Sequence, residues 1–423
     1  MTDTGLIDET PRCMKCGFCM SVCPVYAVDH IESHVARGRN ILIDWAPNNG
    51  ISSDPSFQES LKHCLLCRRC ETACPANVPS AAINIQARSD EADKGGLSWG
   101  RRWVHGRMLR HRTFLARLLG LISRIPIFPA SKGSPLRHMA DFASVLSGRR
   151  SAPQMASAFL SKCLPNQSHP PEGVRVRGEV ALFPGCAVDF FFSHIGQSMV
   201  SVLTDAGYIV VYPQDLNCCG FAIYSAGDFK TAKQMAAHNI KALSHFDHVI
   251  TGCATCGSAI GSYPTWFSED DPLKKKARDL SGRIEHFSKF LTQGAYRPPG
   301  LRYDHISVTW HDPCHLKWYQ GISAEPRALL RSLKGVTYIE MPDADQCCGL
   351  GGSFGISCPD TSMAIADKKI ASVKKTGADV LVTACPGCII QLSEACRRNG
   401  LSVEVMHISE LLRGQKGLRR MPR

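Results

Sequence analysis

Eighteen of the 21 cysteines in this 423-residue chain fall into two kinds of repeated pattern, and thiolate chemistry at those spacings means metal. The first kind is Cys13-Met-Lys-Cys16-Gly-Phe-Cys19-Met-Ser-Val-Cys23-Pro24, matched by Cys64-Leu-Leu-Cys67-Arg-Arg-Cys70-Glu-Thr-Ala-Cys74-Pro75. Each run is C-x2-C-x2-C-x3-C-P, a spacing that suits a pair of [4Fe–4S] clusters. Three thiolates within seven residues can wrap one cubane. The fourth, a turn further on, points away and closes the other. Cys13, Cys16, Cys19 and Cys74 are therefore expected to hold one cluster, and Cys64, Cys67, Cys70 and Cys23 a second. Structural zinc prefers four ligands as two separated pairs, which is not this pattern. The proline after each run restrains the preceding residue and ends a helix.

The second kind is an internal repeat over residues 180–423. Cys186, Cys218-Cys219-Gly220 and Cys253-Ala-Thr-Cys256 are followed by Cys314, Cys347-Cys348-Gly349 and Cys385-Pro-Gly-Cys388, at offsets of 128, 129 and 132 residues. Short apolar strands precede each cysteine group: Val180–Phe183, Ile209–Tyr212 and His248–Thr251 in one copy, Ile306–Trp310, Val336–Ile339 and Val380–Thr383 in the other. Helical runs lie between them, Gln197–Ala206 and Thr231–Ser244, then Pro326–Leu333 and Ser362–Lys375. Strands alternating with helices predict an α/β unit with a mainly parallel sheet. Ligands of such sheets gather beyond the carboxyl ends of the strands, so each set of five cysteines can converge on one sheet end.

Those spacings carry a resemblance. The first two runs are similar to twin-cluster bacterial ferredoxins, and the pattern C-x31-32-CCG-x32-35-CxxC resembles the CCG domain family of iron–sulfur proteins. The combination resembles the iron–sulfur subunits of glycolate and D-lactate oxidases, the anaerobic glycerol-3-phosphate dehydrogenase subunit, and the ferredoxin–CCG fusions of heterodisulfide reductases. In the last group five cysteines hold a non-cubane [4Fe–4S] cluster. By resemblance, Cys186, Cys218, Cys219, Cys253 and Cys256 form one such site, and Cys314, Cys347, Cys348, Cys385 and Cys388 a second. The implied cofactors are two [4Fe–4S] cubanes plus one or two further [4Fe–4S] clusters, with the non-cubane form open to them. Two departures bear on cluster type. The first copy has 32 residues between its Cys-Cys-Gly and C-x-x-C, shorter than the 35 of the second. Glycolate oxidase subunits often lack the first cysteine of each C-x-x-C, whereas both pairs are complete here, as in heterodisulfide reductases.

The expected fold class is α/β: a helical twin-[4Fe–4S] ferredoxin-like domain (1–97), a basic helical connector and linker (98–179), and two repeated CCG domains with mainly parallel sheets (180–300 and 301–423). In the ferredoxin-like part, Arg37–Ile43 reads as a short helix or a strand, and Ser80 as the cap of a helix through Ala87. Between Ser98 and Arg150 eleven Arg and Lys residues face one acid, Asp141, against a net charge of +12 for the chain. With Trp103, Leu109, Phe114 and Leu118 at helical spacing, this is a basic amphipathic helix, suited to a partner subunit or an anionic membrane surface. The global charge argues little for nucleic acid, since cluster loading adds negative charge. Clustered cysteines favour a reducing compartment. The acidic N-terminus is not a signal peptide and no long apolar run is present, so the expectation is a cytoplasmic protein, or a peripheral one on the cytoplasmic face.

His311-Asp312-Pro313-Cys314-His315 makes the second copy the richer site, with His315 able to pack, cap or hydrogen-bond a cluster sulfur. Cys163, Cys358 and Cys396 fall outside every pattern and are expected as buried free thiols. The glycines of Gly349-Leu-Gly351-Gly352 fit close approach of backbone to a cluster better than a nucleotide loop, which needs a strand just before it. No flavin or nicotinamide motif and no paired catalytic carboxylates stand out, so chemistry on carbon falls to a partner. The leading expectation is an electron-transfer subunit of an FAD-linked glycolate or D-lactate dehydrogenase, feeding a quinone or another carrier. The alternatives are a heterodisulfide reductase-like catalytic subunit and a zinc scaffold.

Overall fold

The computed structural model describes residues 4–51, 54–95, 156, 158–296, 298 and 302–414. The basic amphipathic stretch expected between Ser98 and Arg150 lies outside the described residues.

The N-terminal part is helical. Its longer helices are Ala36–Asn49, Pro55–Lys62 and Ser80–Gly95. The open choice at Arg37–Ile43 thus resolves to helix. Ile43, Phe57, Leu61, Val78 and Ile83 pack these helices into a small core. The helix expected through Ala87 runs on to Gly95 and starts at Ser80 itself. Ser80 does not cap it; its buried Oγ instead accepts from Asn40 Nδ2 at 3.1 Å. Glu71 Oε1 takes the free N–H of Ala81 at 2.8 Å. The two cysteine runs turn in the same way. Lys15 and Leu66 (φ 56° and 55°) and Gly17 and Arg68 (φ 87° and 63°) occupy the left-handed region at matching places.

Two sheets follow. In the first, β1 (Gln167–Ser168), β2 (Gly178–Leu182), β3 (Tyr208–Val211), β4 (Val249–Thr251) and β5 (Ile284–His286) lie in the order β1-β3-β2-β4-β5. Only β1 is antiparallel. In the second, β6 (Arg302–Trp310), β7 (Lys334–Ile339), β8 (Val380–Thr383) and β9 (Glu404–His407) lie in the order β7-β6-β8-β9, all parallel. The order β3-β2-β4-β5 repeats as β7-β6-β8-β9, so the sequence repeat is a repeat of topology. The stretch read as linker supplies two pieces of the first unit: β1 at its edge, and the turn of helix Leu160–Cys163, whose Leu160 is fully buried.

The two units share one continuous apolar core that includes Phe183, Leu182, Tyr263, Trp310, Val382 and Leu392. Burial on this scale, at about 25 cal/mol per Å² of apolar surface, makes the pair a single packed body. The N-terminal part is sewn onto both. Arg88 donates to Leu61 O and Cys64 O and, across the boundary, to Ser225 O at 2.9 Å. Tyr319 donates to Leu66 O at 2.7 Å.

Candidate metal centres

Every cysteine group stands at the carboxyl end of a strand or at the head of a short helix. Cys186 follows β2, Cys218 and Cys219 follow β3, and Cys253 and Cys256 follow β4; Cys314, Cys347 and Cys385 hold the same places after β6, β7 and β8. Convergence then comes from the parallel sheets. Cys186 and Cys218 Sγ lie 3.6 Å apart, and Cys219, Cys253 and Cys256 adjoin one another beside them. In the second unit Cys348 and Cys388 Sγ lie 3.5 Å apart, with Cys314 against Cys347 and Cys385 against Cys388.

The N-terminal runs lie against each other, and their cysteines fall into two groups. A surface cavity is lined by Cys13, Cys16, Cys19 and Cys74, with Cys70 at its inner wall. Cys23, Cys64, Cys67 and Cys70 lie instead within electrostatic reach of the buried guanidinium of Arg39. Neither group forms a disulfide; all the described cysteines are free thiols.

The four groups are also in contact with one another. Cys70 borders both N-terminal groups. Cys23 and Cys67 share an apolar cluster with Cys314 and Cys347. Cys253 touches Cys385, and Thr255 Oγ1 lies 3.7 Å from Cys385 Sγ, so the sites expected separately in the two copies adjoin across the repeat. The series runs from the exposed Cys16, through the buried Cys64, Cys67, Cys314 and Cys347, to the half-buried Cys186 and Cys218.

A 4Fe-4S dicluster domain matches residues 9–78, and a cysteine-rich CCG domain matches residues 180–261 and again 308–393. The "Probable glycolate oxidase iron-sulfur subunit" of Bacillus subtilis (strain 168) is 32% identical over 425 residues, spanning 96% of this chain and 93% of that protein. The chain belongs to the CCG-domain iron–sulfur subunit family. Shorter relatives include "Lactate utilization protein A" of Geobacillus sp. (strain WCH70), 30% identical over 55% of this chain and 98% of its own length. "Lactate utilization protein A 2" of Bacillus mycoides (strain KBAB4) is 32% identical over 55% of this chain and 98% of its own length.

The residues fit the iron–sulfur clusters that the family implies. Burial drives Cys67 and Cys70 well above the ordinary thiol range, and neighbouring thiolates push the same way. In the second CCG site Cys348 is drawn down to about 5 by its contacts with Cys347 and Cys388, while those contacts help hold Cys347 and Cys388 up. Crowded buried thiols cannot all ionise without a cation among them. Gly185 adds a steric sign: a Cβ there would sit 2.6 Å from Cys256 Sγ.

Two features of this family member were not legible as site residues, and a third was legible only as part of the motif around Cys314. Arg39 is fully buried and donates to His34 O and, at 3.1 Å, to His63 O. Burial alone would lower its pKa, but the nearby Cys64, Cys23, Cys70 and Cys67 raise it, so its charge is answered by thiolates. His286-Phe-Ser288 and His407-Ile-Ser409 form a further matched pair, each histidine capping a helix through its Nδ1. An H-x-S echo after β5 and β9 was the available signal. The third feature is His311, whose two ring nitrogens are buried with no hydrogen-bond partner.

His315, by contrast, is a packing residue. Its Nδ1 lies 2.6 Å from Ser258 Oγ, its ring stacks on Tyr319 at 4.4 Å, and Phe221 meets it edge-on at 4.7 Å. Burial pushes its pKa down to about 4. Tyr319 carries Arg68 on its other side, 4.8 Å from the ring centre, so this stack joins all three parts of the chain. The glycine loop makes two close approaches: Gly349 N donates to Cys347 Sγ at 3.5 Å, and Gly351 meets the second cysteine run. A Cβ on Gly351 would sit 2.6 Å from Leu65 Cδ2, within the second cysteine run. Of the three cysteines outside the patterns, Cys358 and Cys396 are buried, whereas Cys163 is half-buried, its thiol donating to Ala158 O at 3.6 Å. No helix among the described residues is long and apolar enough to cross a membrane.

Proposed function

We propose that this chain is the electron-transfer subunit of an FAD-linked 2-hydroxyacid dehydrogenase acting on glycolate or D-lactate. In that reading Cys13, Cys16, Cys19 and Cys74 hold one cubane, and Cys23, Cys64, Cys67 and Cys70 the other. Cys186, Cys218, Cys219, Cys253 and Cys256 hold a third centre, and Cys314, Cys347, Cys348, Cys385 and Cys388 a fourth. The domain division is the one bounded above, 1–97, 98–179, 180–300 and 301–423, except that the end of the second segment, from Leu160 on, goes with the first CCG unit. Iron–sulfur clusters, when bound, accept and release single electrons, which suits relay from a two-electron flavin.

The observation that carries the reading is the unbroken contact of four thiol groups, exposed at one end, half-buried at the other and buried between. The protein's own share of the work is spacing and electrostatics. Arg39 supplies positive charge at the second group. Leu65, Phe354 and Ile365 exclude water where the N-terminal part meets the second CCG site. Met14 and Phe18, both strongly exposed beside Cys16, give the outer group an apolar rim on which a flavoprotein can dock. The names of the relatives support the choice of hydroxyacid, and the partner, a quinone acceptor and a place on the cytoplasmic side belong to the same proposal.

The experiment is anaerobic. The cluster-loaded chain, mixed with its flavoprotein partner, should bleach in the visible on addition of glycolate or D-lactate, and the chain alone should not. Oxidation of a hydroxyacid by the chain alone with an artificial acceptor would overturn this division of labour. The complete C-x-x-C pairs favour one rival, disulfide reduction at the CCG centres. That reading expects Cys385→Ser to abolish disulfide reduction while the N-terminal clusters stay intact.

A further inference from the structure

The two CCG units are so alike that their differences are informative, and the sharpest is at the residue directly after the first strand of each. After β2 this is Phe183; after β6 it is His311. The two occupy the same backbone position. Phe183 N donates to Ile250 O at 2.8 Å, and His311 N donates to Val382 O at 2.9 Å. Both side chains are fully buried. A phenylalanine therefore satisfies everything the fold asks of this place, and the second unit has put an imidazole there instead.

That imidazole has no structural occupation. Neither nitrogen makes a well-formed hydrogen bond; the backbone carbonyl of Ala344 lies near the ring but already accepts from Asp312 N and Lys369 Nζ. An unpaired buried N–H is costly, and such a group in a native protein calls for a partner. The ring is aimed at the thiols: one of its nitrogens and the Sγ atoms of Cys348 and Cys388 all lie within 4.8 Å of one another. Its backbone is pinned on both sides, by Val382 O and by Thr383 Oγ1, which donates to His311 O at 3.3 Å. The next residue, Asp312, donates its N–H to Ala344 O at 2.9 Å. The ring itself is fully buried, so a swing to another partner would have to displace its packed neighbours.

We propose that His311 is a positioning residue of the second CCG centre: its imidazole N–H donates to sulfur of the cluster that Cys314, Cys347, Cys348, Cys385 and Cys388 hold, and so sets that centre's potential above that of the first. This rests on the iron–sulfur reading of the second site. Donation rather than ligation follows because five thiolates already complete the donor set. A hydrogen bond to cluster sulfur favours the more negative, reduced form and raises the potential. The first centre, with Phe183 at the same position, lacks the donor. The consequence is a built-in step between two otherwise matched centres that adjoin at Cys253 and Cys385.

The test uses the full cluster-loaded chain, with histidine labelled in 15N, poised so that the second CCG centre is paramagnetic. Pulsed EPR should find a weak 15N coupling, of the size of a hydrogen-bonded rather than a ligated nitrogen, and His311→Phe should lose it. In the same variant the potential of one CCG centre should shift downward while the others stay and iron and sulfide contents are unchanged. His311→Gln, which keeps an N–H, should fall between. A coupling that survives His311→Phe, or a potential unmoved by both variants, would overturn the proposal. So would a strong coupling, which would make His311 a ligand. A folded protein lacking iron and acid-labile sulfide at this site would overturn the ligand assignment itself, and is told apart by metal analysis.

Discussion

The imidazole of His407 lies 2.8 Å from the carbonyl of Gly252, 155 residues earlier in the chain. Gly252 immediately precedes Cys253, so the cap of a helix in the second unit holds the backbone of a thiol site in the first. Ser409 N donates to His407 Nδ1 at 3.2 Å, which leaves the proton on Nε2 to donate to Gly252 O. His407→Ala should remove both bonds. The expected cost is about 1–3 kcal/mol, read by denaturant unfolding. Iron should be lost from the first CCG site before the N-terminal clusters, read by metal analysis and EPR.

His286 and His407 should also make stability depend on pH. Burial pushes the pKa of His286 down to about 3 and lowers that of His407. Below about pH 6.5 the unfolded chain takes up protons that the folded chain refuses. Stability is thus full above that value and falls on acidification. His286 alone should withdraw about 1.4 kcal/mol per pH unit, continuing until the pH approaches 3. Urea unfolding at pH 7, 6 and 5 measures the slope, and His286→Gln should flatten it.

Arg39 places a fixed charge among Cys23, Cys64, Cys67 and Cys70. Arg39→Met should make the second cubane harder to reduce, by on the order of 1–4 kcal/mol per electron for a charge at short range in an effective dielectric near 20. Potentiometric titration followed by EPR measures this. An unshifted potential would assign Arg39 a purely structural role through His34 and His63.

Asp312 is almost wholly buried beside His311, and Arg327 grips both its oxygens at 2.9 and 2.8 Å while Trp310 Nε1 donates to Oδ1 at 2.7 Å. Removing one partner of such a pair strands a buried charge. Arg327→Met should destabilise the chain by about 3–5 kcal/mol. Asp312→Asn, which keeps an acceptor for Trp310, should cost less. Thermal unfolding of both variants gives the order.

Gly351, in the left-handed region at φ 54°, lets the CCG loop lie against Leu65. Gly351→Ala should force Leu65 outward at about 1–3 kcal/mol. It should also slow electron transfer between the N-terminal clusters and the CCG sites, read by stopped-flow reduction, with each centre still formed.

Much of this molecule was legible before folding. The nearness of Cys74 to Cys13, Cys16 and Cys19 could be read from the runs because two runs of one spacing turn in the same way. The strands before each cysteine group could be read because buried parallel strands are short apolar runs. Ser80 misled because propensity names a good cap but not the competitor that tertiary structure supplies, here Glu71. The linker was misjudged because β1 is two residues long and exists only through its pairing with Val210 and Val211.

By itself, then, the sequence determined the two four-cysteine runs, the twofold repeat of five cysteines and the short apolar strands before them; each of these is a pattern of residue types at short spacing. Only the tertiary structure decided the order in which the groups touch. It alone brought Cys253 to Cys385, set Arg39 among four thiols, gave His315 to packing and left His311 unpartnered. Those relationships join residues that are distant in the chain, and they depend on how apolar faces pack, which spacing along the backbone does not encode.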